Sequence, residues 1–256
     1  MEHIARPIKV CPIQGRQLKD VHEEDIFGDF RICNTYRGGG GYDQFPNIAR
    51  KRGLIHEYTK GEIGSQFVVQ CYGCTLRCPY CYVTKDGIYG TYVRYDVPEI
   101  IEAFNDAFVE KNVGVFHMMG GAPMMWVEDW QSIPTILHPF HLFTSDLLLT
   151  EKPYDKRVLY NIGTPNALYA INIKGVTNLD HVRNTGKNID WFLFWDNFDK
   201  VMEAGLNFYI TFTNPDMHGY QRFVDNLEDR YGEHVLYDSF IINLKQYDAL
   251  KSGEAW

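Results

Sequence analysis

The chain has 256 residues, of which 45% are hydrophobic and 15% aromatic, and its formal net charge is −8. This length fits a single α/β barrel with a large core, and the acidic balance argues against broad binding along a nucleic-acid backbone. No apolar stretch is long enough for a membrane span, and four of the six cysteines fall between positions 71 and 81, unlike a secreted disulfide framework. We therefore expect a cytoplasmic protein that does not associate with membranes.

Residues 1–64 form a predicted N-terminal extension. The glycine run at 38–41 lacks the strand, helix and lysine of a phosphate-binding loop, so it predicts a simple loop. The basic run at 50–52 predicts a solvated turn, and the alternative is a contact with an anion or a nucleic acid.

Predicted strands and helices alternate over residues 65–245. The strands are expected at 66–70, 113–119, 141–148, 168–173, 206–212 and 235–243. Helices are expected from 98 onward, at 154–160, at 189–204 and at 220–231, with Asp96 as a cap and Pro98 in the first turn of the first helix. This alternation predicts right-handed crossovers and a parallel sheet, in the form of a partial (βα)6 TIM-like barrel. Residues 246–256 are left as a C-terminal tail.

Three cysteines, Cys74, Cys78 and Cys81, follow the first predicted strand with the spacing Cys-x3-Cys-x2-Cys. Three thiolates can bind three irons of a 4Fe–4S cube and leave the fourth iron open, whereas a closed electron-transfer cluster uses four cysteines. An open iron is what a cluster needs in order to bind a substrate. The spacing therefore favours chemistry at the cluster.

Cys71 offers an alternative interpretation, because adding it gives Cys-x2-Cys-x3-Cys-x2-Cys. Zinc ribbons separate their two Cys-x2-Cys halves by a dozen or so residues, but here only residues 75–77 intervene. Cys71 also ends an apolar run, so we expect it to be a buried thiol at the end of a strand.

A glycine turn, Gly120-Gly121-Ala122-Pro123, follows the second predicted strand. Together with the three cysteines and with Tyr80 just before the last of them, it resembles the motifs of the radical S-adenosylmethionine (SAM) superfamily. That family usually has Gly-Gly-Glu-Pro at the turn, so Ala122 is a departure that removes a carboxylate.

The resemblance implies the same partial barrel and two cofactors, a 4Fe–4S cluster on Cys74, Cys78 and Cys81, and SAM. It implies that the amine and carboxylate of SAM chelate the open iron and that backbone carbonyls of the glycine turn meet the amine. It also implies a flavodoxin- or ferredoxin-like electron donor. Reductive cleavage of SAM then gives a 5′-deoxyadenosyl radical that takes a hydrogen atom from the substrate.

Polar residues at the ends of later strands extend the expected cofactor site. Ser145 ends the third strand, where it could contact the cofactor or cap the next turn. Asn172 and Lys174 end the fourth strand and point to one side by period-2 alternation, although Lys174 could instead reach solvent. This pair resembles the Asp-x-Lys strand of glycyl-radical-enzyme activating proteins, with asparagine in place of aspartate. His117 is expected to be a hydrogen-bonded core histidine, with a cluster ligand as the alternative.

Three functions remain open from the sequence. The first is an activating enzyme that generates a glycyl radical on a partner enzyme, as the strand with Asn172 and Lys174 suggests. The second is a tailoring or isomerising enzyme acting on a nucleotide, a nucleic acid or another small molecule, and peptide modification is a further variant. The third is a non-catalytic iron–sulfur protein, which would explain the cysteines but not the glycine turn.

Overall fold

The computed structural model describes residues 6–12, 25–34, 44–81 and 83–244. The glycine run at 38–41 and the tail at 246–256 lie outside these residues. The strands are β1 (Ile8–Val10), β2 (Asp25–Phe27), β3 (Phe30–Asn34), β4 (Glu62–Gln70), β5 (Val93–Tyr95), β6 (Val113–Met119), β7 (Leu142–Leu147), β8 (Ala167–Ile173), β9 (Phe208–Thr213) and β10 (Phe240–Ile242). The helices are α1 (Phe45–Lys51), α2 (Lys85–Tyr89), α3 (Val97–Lys111), α4 (Val127–Trp130), α5 (Ile133–Ile136), α6 (Lys156–Ile162), α7 (Asn178–Thr185), α8 (Trp191–Glu203) and α9 (Met217–Tyr231).

A central eight-stranded sheet has the order β10-β9-β8-β7-β6-β4-β3-β2. The six strands from β4 to β10 in this order run parallel, which confirms the predicted α/β fold with a partial TIM-like barrel. Strands β2 and β3 continue the sheet in antiparallel fashion beside β4. A separate pair, β1 and β5, is joined to the sheet by a bridge between Val10 and Cys71.

Side chains of the parallel strands alternate between two buried faces. On the outer face, strand residues such as Phe116 and Tyr169 pack with residues of α3, α6, α8 and α9 in the main core. On the inner face, Val115, Leu168 and Tyr209 pack instead against α1. Because both faces are covered, β6, β7, β8 and β9 are buried along almost their whole length, as parallel strands in α/β proteins usually are.

Local sequence signals place the helices that connect these strands. In α3 the Asp96 backbone N–H donates to Glu99 Oε2 at 2.7 Å, half of a capping box, and Pro98 stands in the first turn as predicted. In α8 the Asp190 carboxylate caps the first turn, and the helix ends just before Gly205, whose φ is +65°.

The N-terminal extension is built into the same sheet. The expected boundary between residues 64 and 65 falls inside β4, and α1 closes the inner face near the amino ends of the strands. The basic run at 50–52 is not simply solvated, because Lys51 and Arg52 both form ion pairs with Asp238. These ion pairs tie α1 to the loop that precedes β10.

The sixth parallel strand is shorter than expected. The sequence predicts a strand over 235–243, but Glu233–Leu236 form a 3₁₀ turn and β10 covers only Phe240–Ile242. Val235 is buried, so its apolar character reflects packing in a turn rather than a place in the sheet.

Candidate functional site

The candidate site lies where the carboxyl ends of the parallel strands meet. Residues 71–81, called here the cysteine loop, leave β4, and the glycine turn leaves the neighbouring strand β6. Because parallel strands end at the same edge, side chains far apart in sequence converge there, as in barrel enzymes generally.

Backbone contacts hold the glycine turn against the cysteine loop. The Cys71 N–H donates to Met119 O at 2.8 Å, and the Ala122 N–H donates to Gly73 O at 2.8 Å. Gly121 has φ +53°, and a Cβ there would lie 2.3 Å from Gly73 O and 2.6 Å from Cys71 O. Only glycine fits at this position, because any side chain would push the two segments apart.

The thiols of Cys74, Cys78 and Cys81 form no disulfide and share one small apolar cluster, which also contains Leu76, Tyr80, Ala122 and Leu148. Burial, and after it the negative charges of Glu151, Cys78 and Cys81, raise the pKa of Cys74 to about 12. Burial likewise raises the pKa of Cys81 to about 12, with repulsion from Cys78 as a second cause. Without a bound cation these thiols therefore stay protonated at neutral pH.

This donor set fits an iron–sulfur cube better than a single ion. Among the described residues, no group of three or more His, Cys, Asp or Glu side chains is arranged to hold one metal ion. In a cube each cysteine binds a different iron, so the sulfurs stand wider apart than around a single zinc. Three neighbouring buried thiols that repel one another as thiolates are suited to such a multi-iron cation.

Cys71 stands apart from the other three cysteines, as predicted. It is fully buried in the main core, bridges Val10 at the end of β4, and has the Cys11 thiol as an electrostatic neighbour. Because it packs in the main core and not in the small cluster that contains Cys74, Cys78 and Cys81, we interpret it as a structural thiol rather than a metal ligand.

Lys174 brings a positive charge to the cysteine loop. Its Nζ lies 5.5 Å from the centre of the Tyr80 ring, within the range of a cation–π contact. Burial raises the pKa of Cys78, and the Lys174 ammonium opposes that rise. Lys174 therefore points into the site rather than to solvent. The Tyr80 hydroxyl is buried and hydrogen-bonds to the Cys78 thiol, so Tyr80 packs against the second of the three proposed ligands.

Asn172 lies one inward position before Lys174, in a hydrogen-bonded group at the ends of three strands. The Thr211 hydroxyl donates to Asn172 Oδ1, and the Asn172 side chain also hydrogen-bonds to Asp146. Burial raises the pKa of Asp146, while Lys174 and Asn172 lower it. The predicted pairing of Asn172 and Lys174 on one face is thus observed, and Asp146 joins them.

Ser145 is the expected cofactor residue that the fold does not bring to the site. It shares the outer face of β7 with Phe143 and Leu147, which belong to the core beneath the helices. Its hydroxyl is buried without a hydrogen-bond partner among the described residues. The strand pleat gives the inner position to Asp146, so the expectation was one residue out of register.

Glu151 is a site residue that the sequence did not reveal. The Thr75 hydroxyl donates to its Oε2, while its Oε1 is buried without a partner among the described residues. Burial raises the pKa of Glu151, and Thr75, Lys187 and Lys174 lower it. This carboxylate stands beside Cys74. Its place just after β7 was a possible signal, because loops at that end of the strands form the site.

His181 was also missed. It lines a cleft with Leu148, Asn172, Lys174 and Phe194, and its Nδ1 lies 2.8 Å from Lys187 O. A carbonyl partner makes Nδ1 the protonated nitrogen and leaves Nε2 as an acceptor. Burial lowers the pKa of His181, which keeps the ring neutral.

Two further predicted residues have clear surroundings. His117 is a core histidine, as expected, with Nδ1 2.8 Å from Gln66 Oε1. Pro123 starts a 3₁₀ turn, and its carbonyl accepts a bond of 2.9 Å from Trp130 Nε1. Pro123 therefore fixes the exit of the glycine turn.

Comparisons with solved structures find a similar fold in other proteins. A cysteine-to-serine variant of spore photoproduct lyase is 13% identical with a TM-score of 0.56, over 80% of this chain and 67% of that one. Another variant of that lyase, with bound AdoMet and dinucleoside spore photoproduct, has a TM-score of 0.54 at 12% identity, over 80% and 67%. Streptococcus suis SuiB bound to precursor peptide SuiA has a TM-score of 0.55 at 9% identity, over 84% and 45%. These identities establish similarity of fold alone.

The chain spans about half the length of several structures that it matches, with coverages of 48%, 48% and 45% of those chains. A comparison with curated protein sequences finds no significant match. No helix in the described part of the chain is long and apolar enough to cross a membrane. The profile of the radical SAM superfamily matches residues 68–227, which include the end of β4, the cysteine loop, the glycine turn and the parallel strands β6, β7, β8 and β9. The chain therefore belongs to the radical SAM superfamily.

Proposed function

We propose that this protein reductively cleaves SAM at a 4Fe–4S cluster held by Cys74, Cys78 and Cys81, and that it uses the resulting radical on a substrate. The observation that carries the proposal is the meeting of three free thiols, a tightly packed glycine turn and a lysine at one edge of the sheet. When bound, the cluster supplies one electron to the sulfonium of SAM, which gives methionine and a 5′-deoxyadenosyl radical able to take hydrogen from a substrate.

The residues around the cysteines are suited to hold the methionyl part of SAM. The Lys174 ammonium, held over the Tyr80 ring, matches a carboxylate. The backbone of Gly120 and Gly121 offers carbonyls to the amine with no Cβ in the way. Asn172, fixed by Thr211, offers an amide to a carboxylate or to a ribose hydroxyl.

A different residue supplies negative charge near the amine of SAM, because the two motif positions that would carry an acidic residue are neutral in this chain. Ala122 and Asn172 are neutral where the resemblance would place a glutamate and an aspartate. Glu151 has a buried Oε1 without a described partner and lies in the electrostatic range of Cys74. We assign Glu151 to the amine, because a buried carboxylate oxygen gains most from a charged or polar donor.

The apolar side chains around the thiols keep water away from the reacting centre. Leu76, Ala122 and Leu148 are each less than 6% exposed and pack with Cys74 and Cys78 in the same cluster. A dry wall of this kind limits loss of a reactive radical to solvent and strengthens the charges that orient SAM.

The substrate class has two candidates. A glycyl-radical enzyme as partner is supported by the inward pair Asn172 and Lys174, which resembles the strand of the activating proteins. A nucleotide or other small molecule is supported by the cleft beside Lys174, because the side chains of Asn172 and His181 in its walls can hydrogen-bond to a polar ligand.

The experiment is anaerobic reconstitution followed by incubation with SAM and dithionite. We expect about four irons and four sulfides per chain and the formation of 5′-deoxyadenosine. Lys174→Gln should keep its iron but bind SAM about tenfold to a hundredfold more weakly, because one charge-assisted hydrogen bond is lost. The matched control is Lys156→Gln, which removes an exposed lysine paired with Glu203.

Three results would contradict the proposal. They are stoichiometric zinc without sulfide, the absence of 5′-deoxyadenosine from fully loaded protein, and equal SAM affinity of the two lysine variants. Deuterium transfer distinguishes the two substrate classes. If the substrate is a glycyl-radical enzyme, deuterium from one of its glycines should appear in 5′-deoxyadenosine. If the substrate is a nucleotide, deuterium from its reacting carbon should appear there instead.

A further inference from the structure

A patch of aromatic rings and cations flanks the cysteine loop on the side of β1 and β5. We call it the aromatic patch, and it consists of Tyr72, Tyr89, Tyr92 and Trp126 with Lys9, Arg77 and Arg94. The four rings and Lys9 are half-buried, and the two arginines are exposed. These residues come from β1, the cysteine loop, α2, the loop between α2 and β5, β5 itself and the turn after β6, so the fold rather than the local sequence assembles them.

The rings and cations of the aromatic patch form one continuous set of contacts. Lys9 Nζ lies 5.5, 5.1 and 5.0 Å from the ring centres of Tyr72, Tyr92 and Trp126. Tyr72 and Tyr92 pack edge-to-face at 4.9 Å between centres, and the Arg94 guanidinium lies 5.5 Å from the Tyr92 ring. Register pairing of Lys9 with Arg94 places both cations on the β1–β5 pair.

The aromatic patch reaches the backbone of a proposed cluster ligand. The Cys74 N–H donates to Tyr89 Oη at 3.3 Å, and the Tyr89 ring packs edge-to-face on Tyr72 at 6.0 Å. Arg77 Nη1 donates to Cys74 O at 3.2 Å, and its guanidinium lies 5.4 Å from the Tyr89 ring. The patch therefore covers the backbone of Cys74 on the outer side of the loop.

The charge of the aromatic patch contrasts with that of the whole chain. The patch carries three cations, whereas the chain has a net charge of −8. A local positive region on an acidic protein favours acidic partners. The acidic remainder of the surface repels such a partner, whereas the positive patch attracts it and orients the encounter. Ringed by tyrosines, it also has the aromatic and arginine content typical of protein contact surfaces.

We propose that the aromatic patch docks an acidic electron carrier of the flavodoxin or ferredoxin type. The inference rests on the proposed function, since it assigns the place where the electron enters. In this step the carrier loses one electron and the cluster gains one, with no bond formed or broken. Docking here brings the carrier against Tyr89 and Arg77, which touch the backbone of Cys74.

The geometry favours a protein over a single-stranded nucleic acid as the occupant. Bases bind such proteins by stacking on open ring faces. Here Lys9 lies over three of the rings, and the indole N–H of Trp126 is bound to Tyr72 O at 2.6 Å. Ring faces already covered by a cation offer little area for a base.

The test measures binding of a flavodoxin to the reconstituted protein by calorimetry, at 50 and 300 mM salt. Arg94→Glu should raise Kd about tenfold at low salt and reduce the salt dependence, because it reverses one exposed charge. Arg94→Lys should restore most of the affinity. Arg157→Glu, an exposed arginine on α6 in the outer helix layer, is the matched control and should leave Kd unchanged.

Two further readouts separate docking from the proposed function. Iron content and reduction by dithionite should be the same in wild type and in all three variants. Absence of iron or of reduction from the wild type would contradict the proposed function and not the docking proposal. Equal flavodoxin Kd for Arg94→Glu and Arg157→Glu would overturn the proposal. So would weaker binding of a dT10 oligonucleotide by Arg94→Glu with unchanged flavodoxin affinity, because the patch would then serve a nucleic acid.

Discussion

Gly121→Ala tests the contact between the glycine turn and the cysteine loop. A Cβ at this position would stand 2.3 Å from Gly73 O and 2.6 Å from Cys71 O, and both oxygens belong to the backbone. The φ of +53° adds a conformational cost of about 1–2 kcal/mol for a residue other than glycine. Overpacking against a backbone that cannot rotate away adds about 1–3 kcal/mol. The sum is about 2–5 kcal/mol.

Gly205→Ala is the matched control for this prediction. Gly205 has φ +65°, but a Cβ there would have no atom within 4 Å. Only the conformational cost of about 1–2 kcal/mol applies, so the two variants should differ by the overpacking alone. Urea unfolding of the apoproteins measures the free energy of unfolding of both variants. Iron analysis after reconstitution measures whether each variant still binds the cluster.

We expect Gly121→Ala also to lose iron, because relief of the clash moves Gly73 and with it the neighbouring Cys74. Gly205→Ala should reconstitute fully. The reasoning is refuted if Gly121→Ala is no less stable than Gly205→Ala and binds the same amount of iron, since the turn and the loop would then not be in contact.

Three other predictions concern side chains. Alanine in place of Cys74, Cys78 or Cys81 should abolish cluster binding. Cys33→Ala should keep about four irons per chain, and loss of iron from this variant would show that the ligand set is wrong. Burial and the Arg31 charge lower the pKa of His117 to about 3, so its folded form resists protonation and stability should fall as pH drops below 6.5. Between neutral pH and pH 5 the free energy of unfolding should fall by about 2 kcal/mol more in the wild type than in His117→Gln. Parallel pH–stability curves for the two proteins would contradict this. Glu151→Gln keeps an acceptor for the Thr75 hydroxyl but removes the negative charge. The variant should therefore bind SAM more weakly but bind a SAM analogue without the amino group as well as the wild type does. An equal loss of affinity for both ligands would indicate a structural role.

Much of the fold follows from local patterns in the sequence. The cap at Asp96 and the alternation of strands and helices predict the parallel sheet, because both signals act over a few residues. Period-2 alternation places Asn172 and Lys174 on one face, as observed. The same reasoning fails at Ser145, because one residue of register exchanges the two faces of a strand.

Other features depend on contacts distant in sequence. The pairing of β3 with β4 and the packing of α1 on the inner face join segments that no local pattern connects. Glu151 reaches Thr75 across 76 positions, so its role at the site emerges only once β4 and β7 are placed in one sheet. The apolar residue Val235 favours a strand in the sequence, but in the structure it is buried in a 3₁₀ turn.

The central claim is that Cys74, Cys78 and Cys81 leave one iron of a 4Fe–4S cluster open to SAM. Electron paramagnetic resonance of the anaerobically reduced protein, recorded before and after addition of SAM, tests this most directly. The account predicts the signal of a reduced 4Fe–4S cluster whose shape changes when SAM is added, and a weaker change in Lys174→Gln at limiting SAM. A cluster signal that SAM leaves unchanged at saturating concentration would contradict the claim, because every iron would then already be fully ligated by the protein.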